Sequence, residues 1–348
     1  MTHSQRFDTA RFDNRRPHTA SDDRYNGVDF RKVGEHGLYL PPLGLGFWYN
    51  FGDNRPFDRQ REVILHAFDR GITHFDLANN YGPPQGAAED NLGRLLRREL
   101  KPYRSEVIVS TKAGWDRWYG PYGAGGGRKH LLHSLDDSLD RLNLDYVDIY
   151  YSHKPDENTP LEETIAALGE TVTQGKAHFV GISSYSAERT AEAKRIATDL
   201  RVPLIVNQAS YSLFNRSIEP ELVAELERTG LGAVTFSPLS QGLLTGRYTA
   251  STVPERSDPR PTFDDARVTD DIRARLRGLE AVATGRGQTL AQLALAWTLR
   301  LPIVASTLIG VSSVEQLEEN LGALENLEFS HDELREIDLY AAAPGERF

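Results

Sequence analysis

The strongest constraint on this chain is an alternation. Short apolar runs that read as buried strands are followed, again and again, by segments with helical periodicity. The strands read Leu43 to Trp48, Ile72 to Phe75, Val107 to Lys112, Val147 to His153, His178 to Ile182, Leu204 to Gln208, Ala233 to Phe236 and Val304 to Ile309. The helices between them read Arg59 to Arg70 (closed by Gly71), Ala88 to Leu100, Lys129 to Leu142, a segment running to Gly175, Ala187 to Thr198 and Pro220 to Thr229. Thr159-Pro160 predicts the start of the fourth helix, with Thr159 as N-cap and Pro160 at the first helical position. After the seventh strand the pattern breaks. Residues 238–269 are rich in Ser, Pro and Arg and too long for a simple connection. Helices near Ile272 to Thr284 and Leu290 to Leu299 precede the eighth strand, and Val314 to Leu324 and His331 to Ala342 follow it.

Eight strands, each followed by a helix, fit an α/β chain closed into a (β/α)8 barrel. No strand runs directly into G-x-G-x-x-G and a helix, which disfavours a doubly wound dinucleotide fold. Residues 1–27 are polar, without an apolar period, and read as an N-terminal arm. Residues 28–348 show no dividing linker and read as one barrel domain. At their start, Phe30 to Val33 and Leu38 to Leu40 flank Gly34-Glu35-His36-Gly37, the pattern of a β-hairpin.

Composition narrows the partners. A formal net charge of −10 argues against nucleic-acid and membrane-surface binding. The absence of cysteine excludes disulfides, thiolate nucleophiles and Cys-based zinc sites. No run approaches the ~20 apolar residues of a membrane span, and the N-terminus lacks a signal-peptide pattern. The expectation is a cytoplasmic chain acting on a small molecule, with homo-oligomerisation left open.

Three strands deliver chemistry at their C-terminal ends: Asp76 where the second stops, Lys112 at the end of the third and His153 at the end of the fourth. In a parallel barrel these ends share the ligand-binding face. Tyr81 follows in the loop Asn79-Asn80-Tyr81-Gly82. A tyrosine holds its proton at neutral pH and can deliver it to a carbonyl oxygen, more readily if an ammonium lowers its pKa. Lys112 can supply that ammonium, Asp76 can aim it, and His153 can orient the carbonyl. Singly, each residue reads as well as a cap, a snorkelling amine or a packing ring; together at successive strand ends they favour function. Asp148 and His74 read as structural, and His130 with His133 as surface residues rather than a metal pair. No metal site is read.

Two further segments bear on ligands. Gly310, Ser312 and Ser313 stand at the start of the helix after the last strand, where free N–H groups can meet an anion or Ser can simply cap. Trp48, Trp115, Trp118 and Tyr122 read as aromatic walls of the barrel mouth. Gly123 to Gly127 reads as a flexible substrate loop, after which Arg128 and Lys129 either meet a substrate phosphate or begin the third helix.

From Phe30 onward the chain resembles the aldo-keto reductases. The resemblance rests on Asp76, Tyr81, Lys112 and His153, which fall on that family's catalytic tetrad. It extends to Gly44-Leu45-Gly46-Phe47-Trp48, Ser110-Thr111-Lys112, Gly181-Ile182-Ser183, Phe236-Ser237-Pro238-Leu239 and Gly310-Val311-Ser312-Ser313-Val314-Glu315-Gln316-Leu317-Glu318-Glu319-Asn320. It implies an NADP(H)-dependent reductase of small aldehydes. The implied cofactor contacts are Trp48, Asp76, Ser183, Gln208, Phe236, Ser237, Pro238, Leu239, Gly242, Arg247, Gly310, Ser312, Gln316, Glu319 and Asn320. Ser184 stands where many relatives have Asn. Within the family the chain is most similar to bacterial L-glyceraldehyde 3-phosphate reductases, with potassium-channel β subunits as neighbours. The alternative function is therefore a channel-associated, redox-sensing module. Those channel subunits carry Asn at the position of His153, and the His here favours an enzyme.

Overall fold

The eight apolar runs hydrogen-bond side by side into a closed parallel barrel. The structure is a computed structural model and describes residues 17–249 and 268–347. A two-stranded antiparallel hairpin, β1 (Arg31–Lys32) and β2 (Tyr39–Leu40), comes first. The barrel strands are β3 (Leu43–Gly46), β4 (His74–Asp76), β5 (Ile108–Ala113), β6 (Val147–Ser152), β7 (Ala177–Ser183), β8 (Leu204–Ser210), β9 (Gly232–Phe236) and β10 (Val304–Ile309). They pair in chain order, and β10 closes the ring against both β9 and β3. The surrounding helices are α1 (Phe57–Asp69), α2 (Ala87–Leu96), α3 (Arg128–Leu142), α4 (Leu161–Thr173), α5 (Ala187–Asp199) and α6 (Leu222–Thr229). After β9 come α7 (Asp270–Gly285) and α8 (Leu290–Leu299); α9 (Val314–Leu321) and α10 (His331–Asp338) follow β10.

The strands read as continuous runs because both of their faces are covered. β4, β6 and β10 are buried at every position, with helices outside and facing strands inside. The ends of the elements follow local chemistry. Ser186 caps α5, Thr289 and Gln292 form a capping box on α8, and Asn143 ends α3 at φ 55°. Boundaries shift where side chains have better partners. The N-cap of α4 is Pro160, not Thr159, whose hydroxyl donates instead to Asp156 Oδ2 at 2.7 Å. β3 stops at Gly46, which leaves Trp48 in the loop beyond it, 44% exposed. The irregular reading after the seventh strand is met by a 3-10 turn over Ser240–Gly242; residues 250–267 lie outside the described residues.

The hairpin closes the N-terminal end of the barrel. Val33 and Leu40, with Leu38, pack against Ile149, Ile205, Val206, Val234 and Ala305 in the interior. This seal requires glycine at position 34. There φ is +53°, and a Cβ would lie 2.3 Å from the carbonyl oxygen of Gly230. Residues 17–27 of the arm lie along α1 and the segment after α2. His18 Nε2 meets Asp69 Oδ1 at 3.0 Å, Ala20 N donates to Tyr103 Oη at 3.0 Å, and Arg24 pairs with Glu106. Residues 1–16 lie outside the described residues. Among the described residues no helix is long and apolar enough to cross a membrane. With one end stoppered, the open end is the one where Asp76, Lys112 and His153 emerge.

Candidate active site

Asp76 ends β4, Lys112 is the penultimate residue of β5, and His153 directly follows β6. Lys112 is fully buried. Its Nζ donates to Asp76 Oδ2 at 2.5 Å and to the carbonyl oxygen of Leu77 at 2.6 Å. The other carboxylate oxygen, Oδ1, accepts from Ser110 Oγ at 2.7 Å and Gln208 Nε2 at 2.9 Å. Ser110 and Lys112 are two apart on one strand and so face the same side. A buried ion pair persists only when its remaining polar atoms are satisfied, and here three strands supply the partners. Thr111, between them, faces outward and donates to buried Glu89 Oε1 at 2.6 Å, while Arg141 holds Oε2 at 2.8 Å. Two helices thus brace β5 from behind.

His74, expected to be structural, belongs to this network. It lies two residues before Asp76, and its Nε2 is 3.0 Å from Ser110 Oγ. That hydroxyl gives its proton to Asp76, so His74 Nε2 is the donor. Burial pushes its pKa down to about 4, which keeps the ring neutral. Asp148 holds β5 at the other end, accepting from Val109 N at 2.8 Å and pairing with Arg104 at 2.9 Å.

Tyr81 comes from the loop after β4. Its N–H donates to Ala78 O, and its carbonyl accepts from Gly86 N. Lys112 Nζ lies 5.1 Å from the ring centroid of Tyr81, and the His153 ring stands edge-on to it at 5.8 Å. The expectation that the ammonium lowers the Tyr81 pKa is not met. Burial, helped by the Asp76 carboxylate, raises it well above its ordinary value. The ammonium is engaged by Asp76 and Leu77, and burial lowers its own pKa against the pull of Asp76. Burial, with Lys112 and Lys154 nearby, holds His153 far below its ordinary value and therefore neutral.

These groups line a cavity of about 610 Å³. Asp76, Tyr81 and His153 are in its wall, beside Trp48 and Trp115. Of the implied cofactor contacts, all but Ser312 line it. Ser312 gives its N–H and hydroxyl to Gln316 Oε1, at 2.9 and 3.0 Å. The wall fits an elongated ligand with an amide at one end and anions at the other. Ser183 and Gln208 offer polar groups deep in the barrel, Phe236 a ring face, and Arg247 a cation at the rim. Gly310 leaves open space where a Cβ would stand. The backbone on this side is unusual: Ser184, Ser237, Ser240 and Gln241 have φ of 62°, 57°, 46° and 58°. Left-handed conformations in non-glycine residues cluster at ligand sites. At Ser184 this gives a physical reason for the Asn of its relatives, since Asn tolerates positive φ better than Ser. Asn80, Ser184, Gln241, Thr245 and Tyr248 also line the cavity. Sequence reasoning singled out Ser184 by its departure from the Asn of relatives and missed the other four. Of those four, only Asn80 carried a signal, its place one residue before Tyr81.

The substrate loop differs from expectation. Trp115 remains at the mouth, 46% exposed, but Trp118, Tyr122 and Arg128 do not line the cavity. The loop is pinned, not flexible. Gly125 N donates to Gly114 O, Arg117 N to Gly123 O, and Gly126 N to Asp156 Oδ2 at 2.8 Å. It folds outward, and Trp118 packs on His130 and His133 at 5.1 and 5.4 Å. His130 is buried, contrary to the surface reading, and its Nδ1 is 3.1 Å from Tyr122 O. Arg128 is the first residue of α3 and turns to α4, its guanidinium 3.6 Å from Glu170.

The geometry agrees with what the sequence is similar to. Residues 42–341 match the model of the aldo/keto reductase family. The chain is 50% identical over 330 residues to the L-glyceraldehyde 3-phosphate reductase of Escherichia coli K12, covering 93% of this chain and 95% of that protein. It is 36% identical over 306 residues to a probable voltage-gated potassium channel subunit beta of Oryza sativa subsp. japonica, covering 86% and 92%. The chain belongs to the aldo/keto reductase family and is an oxidoreductase.

Proposed function

We propose that this chain reduces small aldehydes, L-glyceraldehyde 3-phosphate among them, with NADPH as donor and Tyr81 as the source of the proton. The observation that carries the reading is the buried Lys112–Asp76 pair, 2.5 Å apart beneath a cavity walled by Tyr81 and His153. When bound, the reduced nicotinamide supplies the hydride. Ser183 and Gln208 would hold its amide end, the Phe236–Leu239 segment and Gly242 its middle, and Arg247 with Gln316 and Asn320 its phosphates. Tyr81 keeps its proton at neutral pH and gives it to the carbonyl oxygen as negative charge develops there. The Lys112 ammonium, fixed by Asp76, offsets the tyrosinate that remains. Neutral His153 donates one N–H to the same oxygen and orients it. Trp48 and Trp115 exclude water from the carbonyl.

The second reading, a channel-associated module, draws on the relatives described as channel subunits. A neutral histidine in the cavity wall facing Tyr81 supports the enzyme instead. The test is NADPH oxidation with glyceraldehyde and glyceraldehyde 3-phosphate. Tyr81→Phe keeps the ring and removes the proton; turnover is expected to fall by ~10²-fold or more, with NADPH affinity kept. No aldehyde-dependent oxidation by the wild type, or full turnover by Tyr81→Phe, would overturn the reading.

A further inference from the structure

We infer that Lys154 is the cation that receives the phosphate of a phosphorylated aldehyde, held at the cavity mouth by the ring of Trp115. The inference rests on the reductase reading and names the group that selects among its substrates. Three observations lead to it. The first is a path. Tyr81 and His153 stand at the reacting end. The Trp115 ring is perpendicular to that of His153 at 6.3 Å, and Lys154 Nζ lies 4.1 Å from the Trp115 centroid. A substrate whose carbonyl meets Tyr81 and His153, and whose chain runs along Trp115, arrives at Lys154.

The second observation is availability. Among the described residues no carboxylate oxygen lies within 4 Å of the Lys154 ammonium. Asp156, the acid nearest in sequence, is engaged by its own loop: Oδ2 accepts from Gly126 N at 2.8 Å and Thr159 Oγ1 at 2.7 Å, and Oδ1 from Asn158 N at 3.0 Å. The lysine backbone is fixed while its side chain is not fully covered. Ser152 Oγ donates to Lys154 O at 3.3 Å, and the residue is partly exposed. The ammonium rests on an aromatic face, a weak contact at an exposed site, and a phosphate dianion is a stronger partner.

The third observation is the standing of the other cations. Arg128 is turned to Glu170, its guanidinium 3.6 Å from that carboxylate, and Lys129 rests 5.1 Å from the ring centroid of Tyr122, a ring that does not line the cavity. Lys112 is buried in its pair with Asp76. Arg247 follows β9, three strands round the barrel from β6, on the side assigned above to the cofactor. Lys154 does not itself line the cavity, but its ammonium rests on Trp115, which does.

The experiment compares wild type, Lys154→Ala, Lys154→Arg and Arg128→Ala. In each, KM is measured for glyceraldehyde 3-phosphate and for glyceraldehyde, and glycerol 3-phosphate is titrated against tryptophan fluorescence. One charge-assisted contact predicts that Lys154→Ala raises the KM ratio of phosphorylated to plain substrate about tenfold. Glycerol 3-phosphate should bind more weakly by a similar factor, and Lys154→Arg should restore both. Arg128→Ala should behave as wild type. An unchanged ratio and unchanged binding in Lys154→Ala would overturn the assignment, as would a selective loss in Arg128→Ala. If the wild type oxidised NADPH with neither aldehyde, the reductase reading would fail alone. Glycerol 3-phosphate binding would still decide the role of Lys154.

Discussion

Lys112 has two roles in this site, one for the reaction and one for the fold, and removing it separates them. Lys112→Met keeps length and apolar bulk but leaves Asp76 buried beside Ser110 and Gln208 without its counter-ion. Breaking a buried pair from one side costs about 3–5 kcal/mol. The urea midpoint is therefore expected to fall sharply together with activity. A variant with full stability would overturn the structural role given to the pair. Residue types and strand-end positions made these side chains legible in the sequence. The direction of the Tyr81 shift was not legible, because it depends on how completely the cavity wall and Asp76 surround the hydroxyl. His74 was underestimated for a related reason. Its hydrogen bond runs to a residue on the neighbouring strand, which no local pattern displays.

At the scale of elements, the strands and most helices were legible because burial on both faces writes itself as continuous apolar runs, and helix starts carry capping residues. What failed was the loop after β5. Its glycines read as freedom, yet Asp156 and Gly114 tie them down, and those partners lie far off in sequence or in backbone atoms that any residue has. Gly181 on β7 shows the opposite case, a glycine whose purpose is space. A Cβ there would lie 2.3 Å from the ring of Tyr151, which stacks under the site near Lys112 Nζ, 5.7 Å away. Gly181→Ala must displace that ring. Overpacking of this kind costs roughly 1–3 kcal/mol, and because the displaced ring adjoins Lys112, turnover should fall as well. Wild-type thermal stability in Gly181→Ala would mean the ring has somewhere else to go.

For the whole molecule, the neutral imidazoles of His74 and His153 link folding to pH. His74 has a pKa of about 4 when folded, against 6.5 for an ordinary histidine. Between those values the unfolded chain binds the extra proton, so stability rises with pH through that window and is complete above it. A displacement from 6.5 to about 4 corresponds to about 3 kcal/mol, and His153, also held low, adds in the same direction. Urea midpoints should thus fall as the pH is taken from 7.5 to 4.5, and the fall should be smaller in His74→Gln. A flat profile would contradict the burial of His74. The stopper formed by Val33, Leu38 and Leu40 has a different consequence. A vessel stoppered at one end fills and empties by the other. Whatever settles by Ser183 and Gln208 enters and leaves by the end away from that stopper, the end where Trp48, Trp115 and Arg247 stand.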